Sequence, residues 1–224
     1  GTGRGFCSGA DTQHAEPPPN IDGLTLSRIA TRSMTILADL VPTMRRMPQP
    51  VIAAINGAAI GGGMCLCLGA DIRLAGESAY FRAAGINNGL TATELGLSFL
   101  LPRAIGSSRA FELMLSGRDI SAREAAEIGL VSRTVPDAQL MEEALADMVR
   151  AYSHLDAVDD AVEYYREEVG TEQAYPYLHR LSKLYHKEGK YDVEIKAYEK
   201  LNSLYPYAAT APENQTAIMN AYSN

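Results

Sequence analysis

A chain of 224 residues, 46% of them hydrophobic, can bury a substantial core and has room for one large domain or two small ones. A net charge of −7 and a pI near 5.1, with no basic run and no Trp, exclude a nucleic-acid surface built on a cationic stripe. No stretch reaches the roughly 18 apolar residues of a membrane span, and GTGRGFCSGAD lacks the charged start and apolar core of a signal peptide, so the expectation is a soluble cytoplasmic protein with no nucleic-acid or membrane partner.

In chain order, Leu26 to Met47 sets Ile29, Met34, Leu37, Val41 and Met44 at helical spacing, and Pro48 and Pro50 stop the helix. Val51 to Ile55 predicts a short buried strand. Gly61, Gly62 and Gly63 break the chain before an apolar helical stretch, Met64 to Ala70. Asp71 to Ala75 and Ala79 to Arg82 read as strands, and Ser107 to Leu115 as a helix closed by Gly117. Ser121 with Glu124 three residues on forms a capping box that opens a helix ending at Gly129, and Leu130 to Val135 reads as a strand. Alternation of this kind predicts an α/β module, a parallel sheet with helices packed on it.

Near residue 150 the composition changes. Residues 1–150 contain no Lys, 13 Arg and one Tyr, whereas residues 151–224 contain five Lys, two Arg and eleven Tyr. Two modules, 1–150 and 151–224, are inferred, and the second reads as wholly helical. In Leu184 to Pro206 two amphipathic stretches meet at Gly189, and the segment from about Ala161 to Pro206 resembles a tetratricopeptide repeat, whose paired helices stack on neighbouring pairs. Val193 and Glu194 stand where that family usually has a small residue. The tyrosines from Tyr164 to Tyr207 recur at helical spacing and read as packing residues.

Two segments of the first module carry chemistry: Gly5 to Asp11, GFCSGAD, and Pro50 to Asp71, PVIAAINGAAIGGGMCLCLGAD. With AYFRAAGINNGLTATELGLSFLLPRAIG and SGRDISAREAAEIGLVSRTV, they resemble the crotonase superfamily of enoyl-CoA hydratases and isomerases over nearly all of residues 1–150. The resemblance implies two backbone N–H donors aimed at a thioester oxygen that gains negative charge during reaction, an arrangement that lowers the barrier by about 3 kcal/mol per donor. By motif these donors map onto Ala10 and Gly62. Glycines allow close approach of a ligand, and the second turn opens a helix whose dipole adds to the stabilisation.

The hydratase glutamates are absent: Cys65 and Gly85 stand in their places. Cys65 lies in an apolar run, which favours a structural role over that of a base. Cys7, Cys65 and Cys67, an odd number, read as reduced thiols. Glu94, in TATELGLSFLLPR, falls where some family isomerases carry the acid that moves a substrate proton; an exposed cap is the alternative. Asp11 and Asp71 read as cap or turn residues, Arg4 and Arg82 as solvated arginines, and His14, His154, His179 and His186 have no partner at metal-ligand spacing.

The family typically begins well before the GFCSGAD segment and closes with helices that cover the site and join subunits. The expectation is therefore an N-terminally truncated crotonase-like core followed by an all-α helical-hairpin tail. The function implied is action on an acyl-CoA thioester, with no cofactor because CoA is part of the substrate. The alternative is an inactive crotonase scaffold whose tail binds a protein partner, and homo-oligomerisation stays open.

Overall fold

The computed structural model describes residues 3–9, 11, 18–89, 94–155, 157–168, 170, 174–206 and 212–223. It divides into two units, residues 1–144 and 145–224. The first opens with two helices, α1 (Leu26–Ala38) and α2 (Leu40–Arg46), where the spacing predicts one. Pro42 explains the break at Asp39, because it has no N–H to give the carbonyl four residues back and its ring collides with that carbonyl. Although α1 is amphipathic, none of its residues is buried; Leu26 and Met34 stand exposed.

Then come β1 (Ile52–Ile55), β2 (Ala58–Ile60), α3 (Gly62–Gly69), β3 (Ile72–Gly76) and β4 (Tyr80–Arg82). After them lie α4 (Leu97–Ile105), α5 (Ser107–Ser116), β5 (Ile120–Ser121), α6 (Ala122–Glu127), β6 (Arg133–Val135) and α7 (Leu140–Leu155). Among the described residues the strands form two sheets rather than one. Order β1-β3-β6 is parallel throughout, with Ile52 opposite Ile72 and Leu74 opposite Arg133. In β2-β4-β5 the first pair is parallel and the second antiparallel. The strand predicted from Leu130 shortens to Arg133–Val135 because the N–H groups of Leu130 and Val131 both return to the Ala125 carbonyl at the end of α6.

The main core packs α3, α4 and α5 against the sheets through Ile55, Met64, Phe81, Leu97, Leu101, Leu113 and Ile120. Helix α4 carries Pro102 yet continues, since Leu97, Leu101 and Ile105 recur at helical spacing and are all buried. Such burial stabilises by about 2 kcal/mol per large side chain, enough to outweigh one lost backbone hydrogen bond.

The described elements of residues 145–224 are helices: the rest of α7, α8 (Val158–Glu168), α9 (Tyr175–Lys187), α10 (Tyr191–Leu204) and α11 (Pro212–Tyr222). A three-residue connection folds α9 and α10 into a hairpin, with Gly189 at φ +73°. Tyr165, Tyr185 and Tyr198 are fully buried. The Tyr165 hydroxyl donates to the Leu145 carbonyl at 2.7 Å, and the Tyr185 hydroxyl to that of Tyr152 at 3.0 Å. The rings of Tyr165 and Tyr177 stack at 5.2 Å. Tyr165, Tyr185 and Tyr198 are packing residues, as their spacing predicts, while Tyr207 lies outside the described residues.

Candidate active site

The candidate site lies where the first chain segment meets the glycine triplet. Cys7 bridges Ala59 in parallel, its N–H donating to the Ala58 carbonyl at 2.9 Å and its carbonyl accepting from Ile60 N–H at 2.9 Å. This extends the edge of β2 and carries Ser8 and Gly9 to the start of α3. On the other side of β2, the Gly61 N–H donates to the Arg82 carbonyl at 2.9 Å. The chain then reverses through Gly61, at φ 54° and ψ −116°, a conformation open to glycine, and enters α3 at Gly62.

The first intrahelical bond runs from Cys65 N–H to the Gly61 carbonyl, at 3.2 Å. By helix geometry the N–H groups of Gly62, Gly63 and Met64 therefore have no acceptor within the helix. Gly62 is half-buried, while Gly63 and Met64 are buried. Such a helix start attracts negative charge, through its N–H groups and its macrodipole.

Gly9 faces this start. A Cβ on Gly9, whose φ is +94°, would lie 3.6 Å from the Gly62 nitrogen, and a Cβ on Gly62 would lie 3.7 Å from the Gly9 Cα. With glycine at both positions, neither turn puts a side chain between Gly9 and the Gly62 nitrogen. Leu95 borders it: its Cδ1 lies 3.2 Å from the position of a Gly62 Cβ. Leu95 sits at φ 50°, ψ 26°, in a 3-10 turn of Glu94–Gly96 that leads into α4. For a leucine that left-handed conformation costs about 1 kcal/mol, offset by packing of its side chain on the main core.

Of the residues named from sequence, Gly62 is the first residue of α3, as the motif implies. Ala10 lies outside the described residues, and Glu94 is described by its backbone alone, next to Leu95. Cys65 is fully buried in α3. Gly85 is buried as well, and Ala84 reaches within 3.8 Å of a Gly61 Cβ position. Burial pushes the Cys67 thiol well above the ordinary cysteine range. Asp71 has a structural role, since its carboxylate accepts from Arg45 and from the Val51 N–H, both at 3.0 Å.

Arg82 is paired rather than simply solvated, with a two-pronged bond to Asp119 at 2.7 and 2.8 Å. His186 Nδ1 lies 2.9 Å from the buried Glu194. Among the described residues no group of three or more His, Cys, Asp or Glu could hold a metal ion. Sequence reasoning did not single out Leu95, because nothing in leucine's preferences marks a left-handed turn.

The family model for enoyl-CoA hydratase/isomerase matches residues 1–202. The chain belongs to that family. It is 65% identical over 150 residues to the probable enoyl-CoA hydratase echA12 of Mycobacterium bovis, covering 67% of this chain and 53% of that protein. It is 38% identical over 144 residues to the 1,2-epoxyphenylacetyl-CoA isomerase of Escherichia coli, covering 64% and 53%. The crystal structure of a probable enoyl-CoA hydratase/isomerase from Mycobacterium abscessus superposes with a TM-score of 0.64 at 60% identity, covering 68% of this chain and 56% of that one. The chain spans about half the length of the curated relatives it matches. Among the described residues no helix is long and apolar enough to cross a membrane.

Proposed function

We propose that this chain acts on an acyl-CoA thioester, binding the carbonyl oxygen at the N-terminus of α3 through the N–H groups of Gly62 and Ala10, with Glu94 as proton carrier. The observation that supports this reading is the Gly9–Gly62 juxtaposition, which sets a glycine turn against the first N–H of α3, next to the turn that begins at Glu94. Negative charge developing on a thioester oxygen there is stabilised by the helix start.

Double-bond migration suits these residues better than hydration. In migration a proton leaves C2 of a 3-enoyl-CoA, the electron pair moves to the carbonyl oxygen, and a proton returns at C4. One carboxylate can perform both transfers. Addition of water needs an acid and a base on one water, and Cys65 and Gly85 stand in place of the two glutamates. CoA enters as part of the substrate, and no separate cofactor is required.

The test is turnover of 3-enoyl-CoA by the parent chain and by Glu94→Gln, followed by chromatography of the thioester products. The reading expects migration in the parent and a loss of about 100-fold in the variant, with affinity for a non-reactive analogue unchanged. Parental turnover by Glu94→Gln would remove the glutamate from the mechanism.

A second reading rests on the α9–α10 hairpin, which packs on both α8 and α11. In it the tail is a tetratricopeptide-like protein-binding element on an inactive scaffold. It expects peptide binding that is lost on substitution of exposed α9 and α10 residues in the full chain, and no turnover of any enoyl-CoA.

A further inference from the structure

We propose that Leu95 is a positioning residue for the chemistry at Gly62: its side chain keeps water off the N-terminus of α3. The inference rests on the acyl-CoA reading above. Leu95 and Asn20 are the two described non-glycine residues with positive φ. Asparagine tolerates that region through its short polar side chain, whereas leucine has no such compensation.

A turn needing φ near +50° would relax with glycine or asparagine at this position. With leucine it directs a branched apolar side chain onto the start of α3, where Cδ1 lies 3.2 Å from the Gly62 Cβ position. The turn packs on α1, α2, α3 and α4, so it is held from several directions. Ala84 approaches Gly61. The Gly61–Gly62 start is therefore bordered by two apolar side chains, and neither can activate or hold a water.

Excluding water here has two consequences. Hydrogen bonds from the helix start to a charged oxygen strengthen as local polarisability falls, because no solvent competes for the donors. A proton lifted from the substrate also returns to it before exchanging with solvent. Leu95 touches neither the moving proton nor the carbonyl in this account; it acts through the Gly62 N–H.

The experiment compares the parent, Leu95→Asn, Leu95→Met and Gly62→Pro. Three quantities are read: melting temperature, calorimetric affinity for a non-reactive acyl-CoA thioether or amide analogue, and deuterium uptake into product from 3-enoyl-CoA in D2O. Leu95→Asn should melt near the parent, since relaxing the left-handed turn offsets part of the packing lost with the leucine, yet bind the analogue about tenfold more weakly and raise deuterium uptake several-fold. Leu95→Met should restore the parental values of both. If Leu95→Asn does not fold, Leu95→Gly, which also relaxes φ, carries the same expectations.

Parental affinity in a folded Leu95→Asn chain, or equal loss in Leu95→Met, overturns the inference. The affinity readout decides it without turnover. Gly62→Pro separates the two levels: if it binds as the parent does, or the parent binds nothing, the acyl-CoA reading falls and takes Leu95 with it. If Gly62→Pro alone loses binding, only the role of Leu95 falls.

Discussion

The carbonyl of Cys7 occupies the space into which a side chain at position 63 would project, and the Cys7 Cβ lies 2.9 Å from the same point. Two segments more than fifty residues apart in sequence are thereby locked backbone to backbone, with the Cys7 carbonyl already committed to the Ile60 N–H. Gly63→Ala should lower stability by about 3 kcal/mol, because rigid backbone must move. Gly62→Ala meets the flexible end of Leu95 and should cost far less. Thermal melts of the two variants check this, and equal melting temperatures would contradict the close approach.

Thiol labelling should separate the cysteines by burial. Cys7 is half-buried, whereas Cys65 and Cys67 are fully buried and burial disfavours the Cys67 thiolate. A disulfide reagent on the folded chain should modify Cys7 alone, with Cys65 and Cys67 following at the rate of unfolding. Rapid labelling of Cys67 in the native state would contradict the packing of α3.

Low pH should weaken the α5–α6 region. Hydrogen bonds from Arg118 hold Glu112 and Glu124 below the usual carboxylate range, and those from Arg82 do the same for Asp119. Their folded values lie below the unfolded ones, so the stabilisation is present above the unfolded range of about 4 and is lost as pH falls through the folded values. Glu112 and Asp119 are solvent-exposed and Glu124 is half-buried, so the effect is small and salt-sensitive. Denaturant titrations of Arg118→Met should show a shallower loss of stability below about pH 5 than the parent. Identical pH profiles would show that the pairs contribute nothing.

In the helical unit, Tyr165→Phe removes the donor to the buried Leu145 carbonyl while keeping the ring stacked on Tyr177. A loss of about 1 to 2 kcal/mol is expected in chemical denaturation. No change would mean that the hydroxyl adds nothing to the bond the Leu145 carbonyl accepts within α7.

Much of this was legible locally. The glycine triplet, the following apolar run and the Gly117 stop mark helix boundaries by chemistry that acts within a few residues, and the structure places them accordingly. Ser121 caps α6 as its motif requires, accepting the Glu124 N–H at 3.2 Å. The Glu124 carboxylate, however, meets Arg118, a competitor that spacing alone does not reveal.

What local pattern missed depends on distant partners. Pairing of Ala58 with Tyr80 and of Ile52 with Ile72 sorts neighbouring strands into different sheets. Tertiary packing carries α4 through Pro102 and holds Leu95 against its own preference. At the candidate site, the motif marks a helix start at Gly62, and the apolar border beside it appears only when residue 95 is folded back onto α3.

Binding of a thioester oxygen by the Gly62 N–H is tested by calorimetric titration of the parent chain and Gly62→Pro with a non-reactive acyl-CoA analogue. Proline is tolerated at the first position of a helix and removes the one N–H in question. Saturable binding by the parent is expected and, in a variant that melts like it, a loss of affinity of at least about 100-fold. Equal affinity in the two chains, or no binding by a folded parent, would contradict it.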